Sequence, residues 1–330
     1  MPKNAVPSYE SKFFIDEYGL SGIRDWEASY SVPQQTINAL GAGFVRNVYN
    51  GPLQGNLSFT RDMLFNVDPV LSYTGDAALS GTLIYDTYLD QGTEKVFGFT
   101  EGYLTNYSVR CGVGDVPTVD SSFVSFGRFG SGIRGGDLDF SGEKIFTMLE
   151  GGVAFANQGS IRCGFGQSGT NRVTQVSQSY GIKREPIYTL NQKSFSDLTG
   201  GAGFTPAEVI THYPIEVTTS MTVEVDDFET ANIMDTIRSG HYETIDLRID
   251  QHYRGISNLT ADGLLKPAFV ATGTSFLADS FGNALTDDGL RTMYNFHSIT
   301  GQLVSESIGT ATDGVLSVNL EFKDYLNRDL

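Results

Sequence analysis

Two stretches of this chain carry the glycine spacing of a dinucleotide-binding turn, Gly130-Ser131-Gly132-Ile133-Arg134-Gly135 and Gly164-Phe165-Gly166-Gln167-Ser168-Gly169. That chemistry needs a strand before the turn, a helix after it, and an acid about 20 residues on for the ribose. After Gly169 the run Thr170–Ser177 alternates like a strand, and a chain with 38 glycines makes such spacings as loops. Asp137-Leu138-Asp139-Phe140-Ser141-Gly142 opens like a calcium loop, but the bidentate acid due at its twelfth position is Met148. His212, His241, His252 and His297 have no metal-ligand spacing, and three of them stand in His-Tyr dipeptides that suit packing. Cys111 and Cys163 are too few for a disulfide framework and are read as reduced apolar fillers. No Gly-x-Ser-x-Gly elbow occurs, and Asp226-Asp227 and Asp287-Asp288 are neighbours in sequence, from which no catalytic pair follows. The expectation is a protein without catalytic, cofactor or metal residues, and not an enzyme.

Charge narrows the partners. The chain has 330 residues, 22 Lys and Arg against 39 Asp and Glu, and a net charge of −17. Gripping nucleic acid requires clustered cations, which are missing here, whereas an acidic surface lets a polyanion pass without sticking. The opening MPKNAVPSYESKFF lacks an apolar segment of signal-peptide length, and no apolar run is long enough for a membrane span. The protein is expected to stay in the cytosol where it is made. The triplets at Asn56, Asn106 and Asn258 are then expected to be unmodified.

The elements that remain are strands. Ile215–Val225 alternates, with Ile215, Val217, Met221, Val223 and Val225 on one face and Glu216, Thr218, Ser220, Thr222 and Glu224 on the other. An earlier segment gives a matching polar face of Gln54, Asn56, Ser58, Thr60 and Asp62. Phe228–Arg238 has the spacing of one short helix, and its counterpart near Asn66–Tyr73 contains Pro69 and reads as a turn or a poor helix.

These two alternating segments belong to a longer repeat. Pro52-Leu53-Gln54 returns 162 positions later as Pro214-Ile215-Glu216, and Thr82-Leu83 returns at the same offset as Thr244-Ile245. Ser29-Tyr30-Ser31-Val32 matches Ser179-Tyr180-Gly181-Ile182, Gly41-Ala42-Gly43-Phe44 matches Gly201-Ala202-Gly203-Phe204, and Gly102-Tyr103-Leu104 matches Gly301-Gln302-Leu303. Order is kept through every block, so the chain reads as two diverged copies of one β-module. The expected organisation is a first module at 1–127, a glycine-rich connector at 128–159, and a second module at 160–330. The second module carries 37 extra residues within Gln251–Asn295.

A module with Ser-Tyr-x-[Val/Ile] in its first strand, a long Gly/Pro loop, a Pro-[Leu/Ile] strand entry and a closing Gly-x-Leu strand resembles the tail tube domain of bacteriophages. Two such modules in one chain resemble the duplicated tail tube proteins of some long-tailed phages. The resemblance implies a mostly β fold of two tandem β-sandwich or partial-barrel modules, each with at most one short helix. It also implies trimeric rings of six modules, stacked into a tube that carries the genome out of the head.

The partners implied are the protein itself, tape measure, tail terminator and baseplate or tip proteins, with a sheath as a further candidate. DNA would pass without specific binding, no membrane is involved, and the protein would reside in the virion tail after assembly in the host cytoplasm. Under this reading Gln54, Asn56, Ser58, Thr60 and Asp62, with Glu216, Thr218, Ser220, Thr222 and Glu224, are candidates to face the lumen. The loops Pro33–Gly51 and Lys183–Tyr213 are candidates for ring stacking through Gly41, Ala42, Gly43, Phe44, Gly201, Ala202, Gly203 and Phe204. The alternatives are a carbohydrate- or receptor-binding β-sandwich of a tail fibre or adhesin, against which the single Trp26 in a strand argues, and a hydrolase with a site in Gln251–Asn295.

Overall fold

The protein, seen in a computed structural model, is mostly β, its sheets antiparallel. The structure describes residues 11–16, 18–20, 22–38, 45–62, 69–85, 96–113, 115–133, 161–165, 168–170, 173–189, 205–224, 245–252, 290–295, 302–309 and 316–327. Helix among them is limited to one 3-10 segment, Pro69–Thr74, in the stretch read from sequence as a turn or a poor helix. The strands of the first half are β1 (Ser11–Ile15), β2 (Tyr18–Leu20), β3 (Ile23–Ser31), β4 (Gln34–Asn38), β5 (Val45–Asn50), β6 (Gln54–Asp62), β7 (Leu79–Tyr85), β8 (Val96–Gly112), β9 (Thr118–Ser125) and β10 (Phe129–Ser131). Those of the second are β11 (Ile161–Phe165), β12 (Ser168–Thr170), β13 (Val173–Gly181), β14 (Arg184–Ile187), β15 (Glu208–Thr211), β16 (Ile215–Glu224), β17 (Ile245–His252), β18 (Leu290–Asn295), β19 (Gln302–Gly309) and β20 (Ser317–Leu326).

Eight strands run side by side in the order β3-β6-β9-β8-β13-β16-β20-β19. Alternation dictates their two faces, because successive side chains leave a strand on opposite sides. In β6, Leu57 and Phe59 are buried while Gln54, Asn56 and Ser58 are exposed, and in β16, Val217, Met221 and Val223 are buried. The buried sides of both halves merge into a single apolar cluster running from Phe59 and Phe123 through Tyr107 and Tyr180 to Met221, Leu320 and Phe322. That continuity depends on the seam between β8 and β13, where Tyr107 faces Tyr180 with ring centroids 5.8 Å apart.

The pairing pattern itself repeats. Trp26 faces Phe59 as Val176 faces Met221, and Tyr30 faces Gly55 as Tyr180 faces Val217. A bulge interrupts β3 between Ile23 and Asp25 and β13 between Val173 and Gln175, while β8 and β19 are bulged between Leu104 and Asn106 and between Leu303 and Ser305. β1 and β2 pair Phe13 with Leu20 as β11 and β12 pair Cys163 with Thr170. One block departs from the expected offset. Leu83 faces Phe13 as Leu247 faces Cys163, so β7 and β17 correspond at 164 positions and the resemblance of Thr82-Leu83 to Thr244-Ile245 is coincidental.

β8 is long enough to serve two groups of strands. Its later part belongs to the eight-stranded run, whereas Val96–Gly102 pairs with β7 and β10, and β7 continues to β1 and β2. The change of course falls at Glu101, held at φ 52°, where an L-residue pays a steric penalty. Phe99, just before it, lies so close to Gly81 and Gly102 that a β-carbon on either would stand 2.3 Å from its ring. Phe129 of β10 is buried against Phe97 and Phe99, so Arg128–Ile133, placed by sequence in the connector, packs with the first half.

The segments Pro33–Gly51 and Lys183–Tyr213, expected as long loops, each contain a two-stranded ribbon, β4 with β5 and β14 with β15. Gln34-Gln35-Thr36 and Arg184-Glu185-Pro186 show no apolar alternation, since Gln34, Gln35, Thr36 and Glu185 are exposed and Arg184 is buried only in part. β17 and β18 are antiparallel neighbours with His252 opposite Leu290, so the excess of the second half, 35 residues at the corrected offset (199 − 164) and not 37, is carried between two paired strands. The expected helix Phe228–Arg238, the remainder of the connector and residues 253–289 lie outside the described residues.

Candidate functional site

The ten polar residues singled out from sequence lie on one face of the eight-stranded run. Asn56 and Ser58 share it with Ser29 and Glu27 of β3, and Thr218 and Ser220 share it with Ser179 and Ser177 of β13. The seam joins these two groups, because Ser108 faces Ser179. One row of cross-strand neighbours crosses all eight strands: Asp25, Thr60, Asp120, Ser108, Ser179, Thr218, Lys323 and Gln302. Residues directly opposite on adjacent strands point to the same side, so a row of this kind is a strip of one surface.

Carboxylates dominate that surface. It carries Asp25, Glu27, Asp62, Asp120, Glu216, Glu224 and Glu321, against Arg110 and Lys323, with Arg24 reaching it from the bulge. The cations on it are engaged. Arg110 Nε donates to Asp120 Oδ2 at 2.9 Å, Lys323 Nζ to Glu216 Oε1 at 2.7 Å, and Arg24 Nε lies 2.5 Å from Asp62 Oδ1. The Lys323 ammonium holds the Glu216 carboxyl below its ordinary range, and Glu216 in turn raises Lys323. Hydroxyls fill the intervals: Thr60 donates to Asp120 Oδ1 at 2.7 Å, Thr222 to Asn319 Oδ1 at 2.7 Å, and Ser305 to Glu321 Oε2 at 3.1 Å. A phosphate reaching this face would meet carboxylates and cations already paired with them, an arrangement that disfavours its retention.

A second group of contacts was not legible in the sequence. Arg184 of β14 donates to the carbonyls of Leu104 at 2.9 Å, Gly75 at 2.7 Å, Tyr73 at 3.1 Å and Thr74 at 3.4 Å, and also to the Thr211 hydroxyl. Its guanidinium lies 5.8 Å from the centre of the Tyr103 ring, and Val209 of the same ribbon packs with Val124 and Phe126. Burial lowers the Arg184 pKa from its ordinary value while nearby Asp76 opposes the shift. A planar five-donor group spans several carbonyls at once, so this one side chain ties the ribbon of the second half to the first. Arginine at a ribbon end carries no sequence pattern announcing such a role.

The stacking candidates Gly41, Ala42, Gly43, Phe44, Gly201, Ala202, Gly203 and Phe204 lie outside the described residues, as does the calcium-like Asp137 loop. Of the glycine fingerprints, Gly164–Gly169 falls across β11 and β12, and the next element among the described residues is the strand β13 where a dinucleotide site needs a helix. His212 Nε2 lies 2.6 Å from Glu185 Oε2 across a ribbon, and among the described residues no cluster of His, Cys, Asp and Glu is arranged to hold a metal. Neither comparison with models of known protein families nor comparison with curated proteins finds a match to this chain.

Proposed function

We propose that this chain is the repeating subunit of a phage tail tube, a structural protein whose copies close into rings that stack around a channel for the genome. The observation that carries this reading is the eight-stranded run. It consists of two similarly ordered four-strand units, β3-β6-β9-β8 and β13-β16-β20-β19, already joined edge to edge. Among the described residues it ends in β3 on one side and β19 on the other, two unlike edges. Unlike edges associate head to tail, and head-to-tail contacts make rings when the rotation closes. Closure also removes the open strand edges that a soluble sheet must otherwise guard.

The polar face then lines the bore. Duplex DNA needs a wall that offers no phosphate partners, and the Asp120–Arg110 and Glu216–Lys323 pairs withhold the available cations. The tandem modules occupy 1–127 and 160–330 of the chain, and three chains supply six modules to a ring. Tape measure, terminator and tip proteins would cap or fill the tube. Negative-stain microscopy of the purified protein, with the mass of any ring, tests the reading. Rings or tubes of three chains per layer are expected, and rings of six chains, or a protein that stays monomeric, would overturn it.

A further inference from the structure

Among the described residues the two ends of the eight-stranded run, β3 and β19, are copies of the two edges that meet inside the chain. β3 has the register and bulge of β13, and β19 those of β8. The copies differ in exposure. Tyr30 on β3 is 57% exposed whereas Tyr180, its counterpart on β13, is 4% exposed; Ile308 on β19 is 59% exposed whereas Val109, its counterpart on β8, is fully buried. Trp26 and Val304, one on each free edge, are exposed as well. So is Tyr325, whose counterpart Phe126 is buried in contact with the β14–β15 ribbon. Large apolar groups thus stand open on each edge at positions that the internal seam covers.

We infer that β19 of one chain pairs with β3 of the next in the register of the internal seam. There Ser108 faces Ser179 and Val109 faces Gln178. Carried to the free edges, this sets Ser307 opposite Ser29, Ile308 opposite Ala28, and Glu306 opposite Tyr30. The β4–β5 ribbon, leaving β3 as β14–β15 leaves β13, comes to lie over Tyr325 of the neighbouring chain. The occupant of each edge is therefore a second copy of this chain, in one register. This inference rests on the ring reading above and gives it residue-level content.

Ser29 and Ser307 suit a direct test. In the seam Ile182 N donates to Thr105 O and Val113 N to Thr174 O, so Ser108 and Ser179 form a non-hydrogen-bonded pair, whose side chains approach closely. The corresponding Ser29→Cys and Ser307→Cys variants, made in a Cys111→Ala, Cys163→Ala background and mixed before assembly, should yield a disulfide-linked dimer on mild oxidation. Each alone should not. The mixture of Ser29→Cys with Ser305→Cys, two residues out of register, should cross-link several-fold less. A Ser108→Cys, Ser179→Cys chain, cross-linked at monomer mass, reports that the background folds. Rings that form while the Ser29 and Ser307 mixture stays uncross-linked would overturn this register and leave the ring reading standing. Dimers from Ser29→Cys alone would mean like edges meet, and a chain carrying both substitutions that closes at monomer mass would mean the sheet closes on itself. Either result overturns the pairing. Absence of any assembly would remove both the register and the ring. Ile308→Asp gives an independent reading, because a charge forced into the joint should leave folded monomers where the parent assembles.

Discussion

Arg184 does by itself what several residues share elsewhere at the seam. Its guanidinium gathers the carbonyls of Tyr73, Thr74, Gly75 and Leu104. Arg184→Met should therefore leave buried acceptors unmatched, with a loss of about 2 kcal/mol in urea unfolding. Arg184→Lys should recover little, since an ammonium cannot reach that spread of acceptors. Cys111 makes a different prediction. Burial first, and Asp115 second, push its thiol up to about 12 from an ordinary value of 9.0. A raised folded-state value means the thiol favours the native state at neutral pH, and this contribution declines as pH rises from about 9 toward 12. Alkylation at pH 8 should be negligible in the folded protein and prompt in urea, read by mass spectrometry; prompt labelling of the native form would contradict the buried placement.

Strands whose alternation meets water on one side, such as β6 and β16, were legible because each side chain's environment is written in its type. The ribbons β4–β5 and β14–β15 were not, since Gln34, Gln35 and Glu185 stay out of the core on either side of the pair. β8 was only partly legible, because nothing in Glu101-Gly102 by itself says that one strand will serve two groups of partners. The polar candidates on β6 and β16 could be read, but their union into one surface depends on the seam of β8 with β13, a long-range pairing with no local signature. The bend itself is testable. Gly102→Ala forces a β-carbon toward the Phe99 ring at 2.3 Å and should cost about 1–3 kcal/mol of stability. Phe99→Leu in the same chain should return part of that loss in a double-mutant cycle, since the two changes share one contact.

For the whole molecule the sign of the polar face matters most. Replacing Asp62, Glu216 and Glu224 with Lys would strip Arg24 and Lys323 of their partners and add three cations to the surface. On the proposed tail-tube function, tubes of this variant should retain duplex DNA at low salt and release it as salt rises, because counterion release governs such binding. Virions built with it should eject slowly. Tubes of normal shape that neither hold DNA nor delay ejection would put this face on the outside of the tube.

Register has one more consequence. The row that begins at Asp25 reaches Ser179 on entering the second half, and Ser179 occupies the place of Ser29, four residues further along its strand. Four strands and a four-residue advance stand in the same ratio as an eight-stranded barrel of shear eight, whose strands tilt about 36°. The slope is thus inherent in the sheet, and the number of chains alters only the girth. Three chains, at roughly 4.8 Å between strands, would enclose a backbone cylinder about 45 Å across. On such an incline neighbouring carboxylates of one chain stand at different heights, each recurring at its own level in the three chains of a ring, so the hoops they form are sparse and staggered along the bore. A polyanion sliding along the axis would leave each one as it approached the next, and the potential along its path would stay nearly smooth.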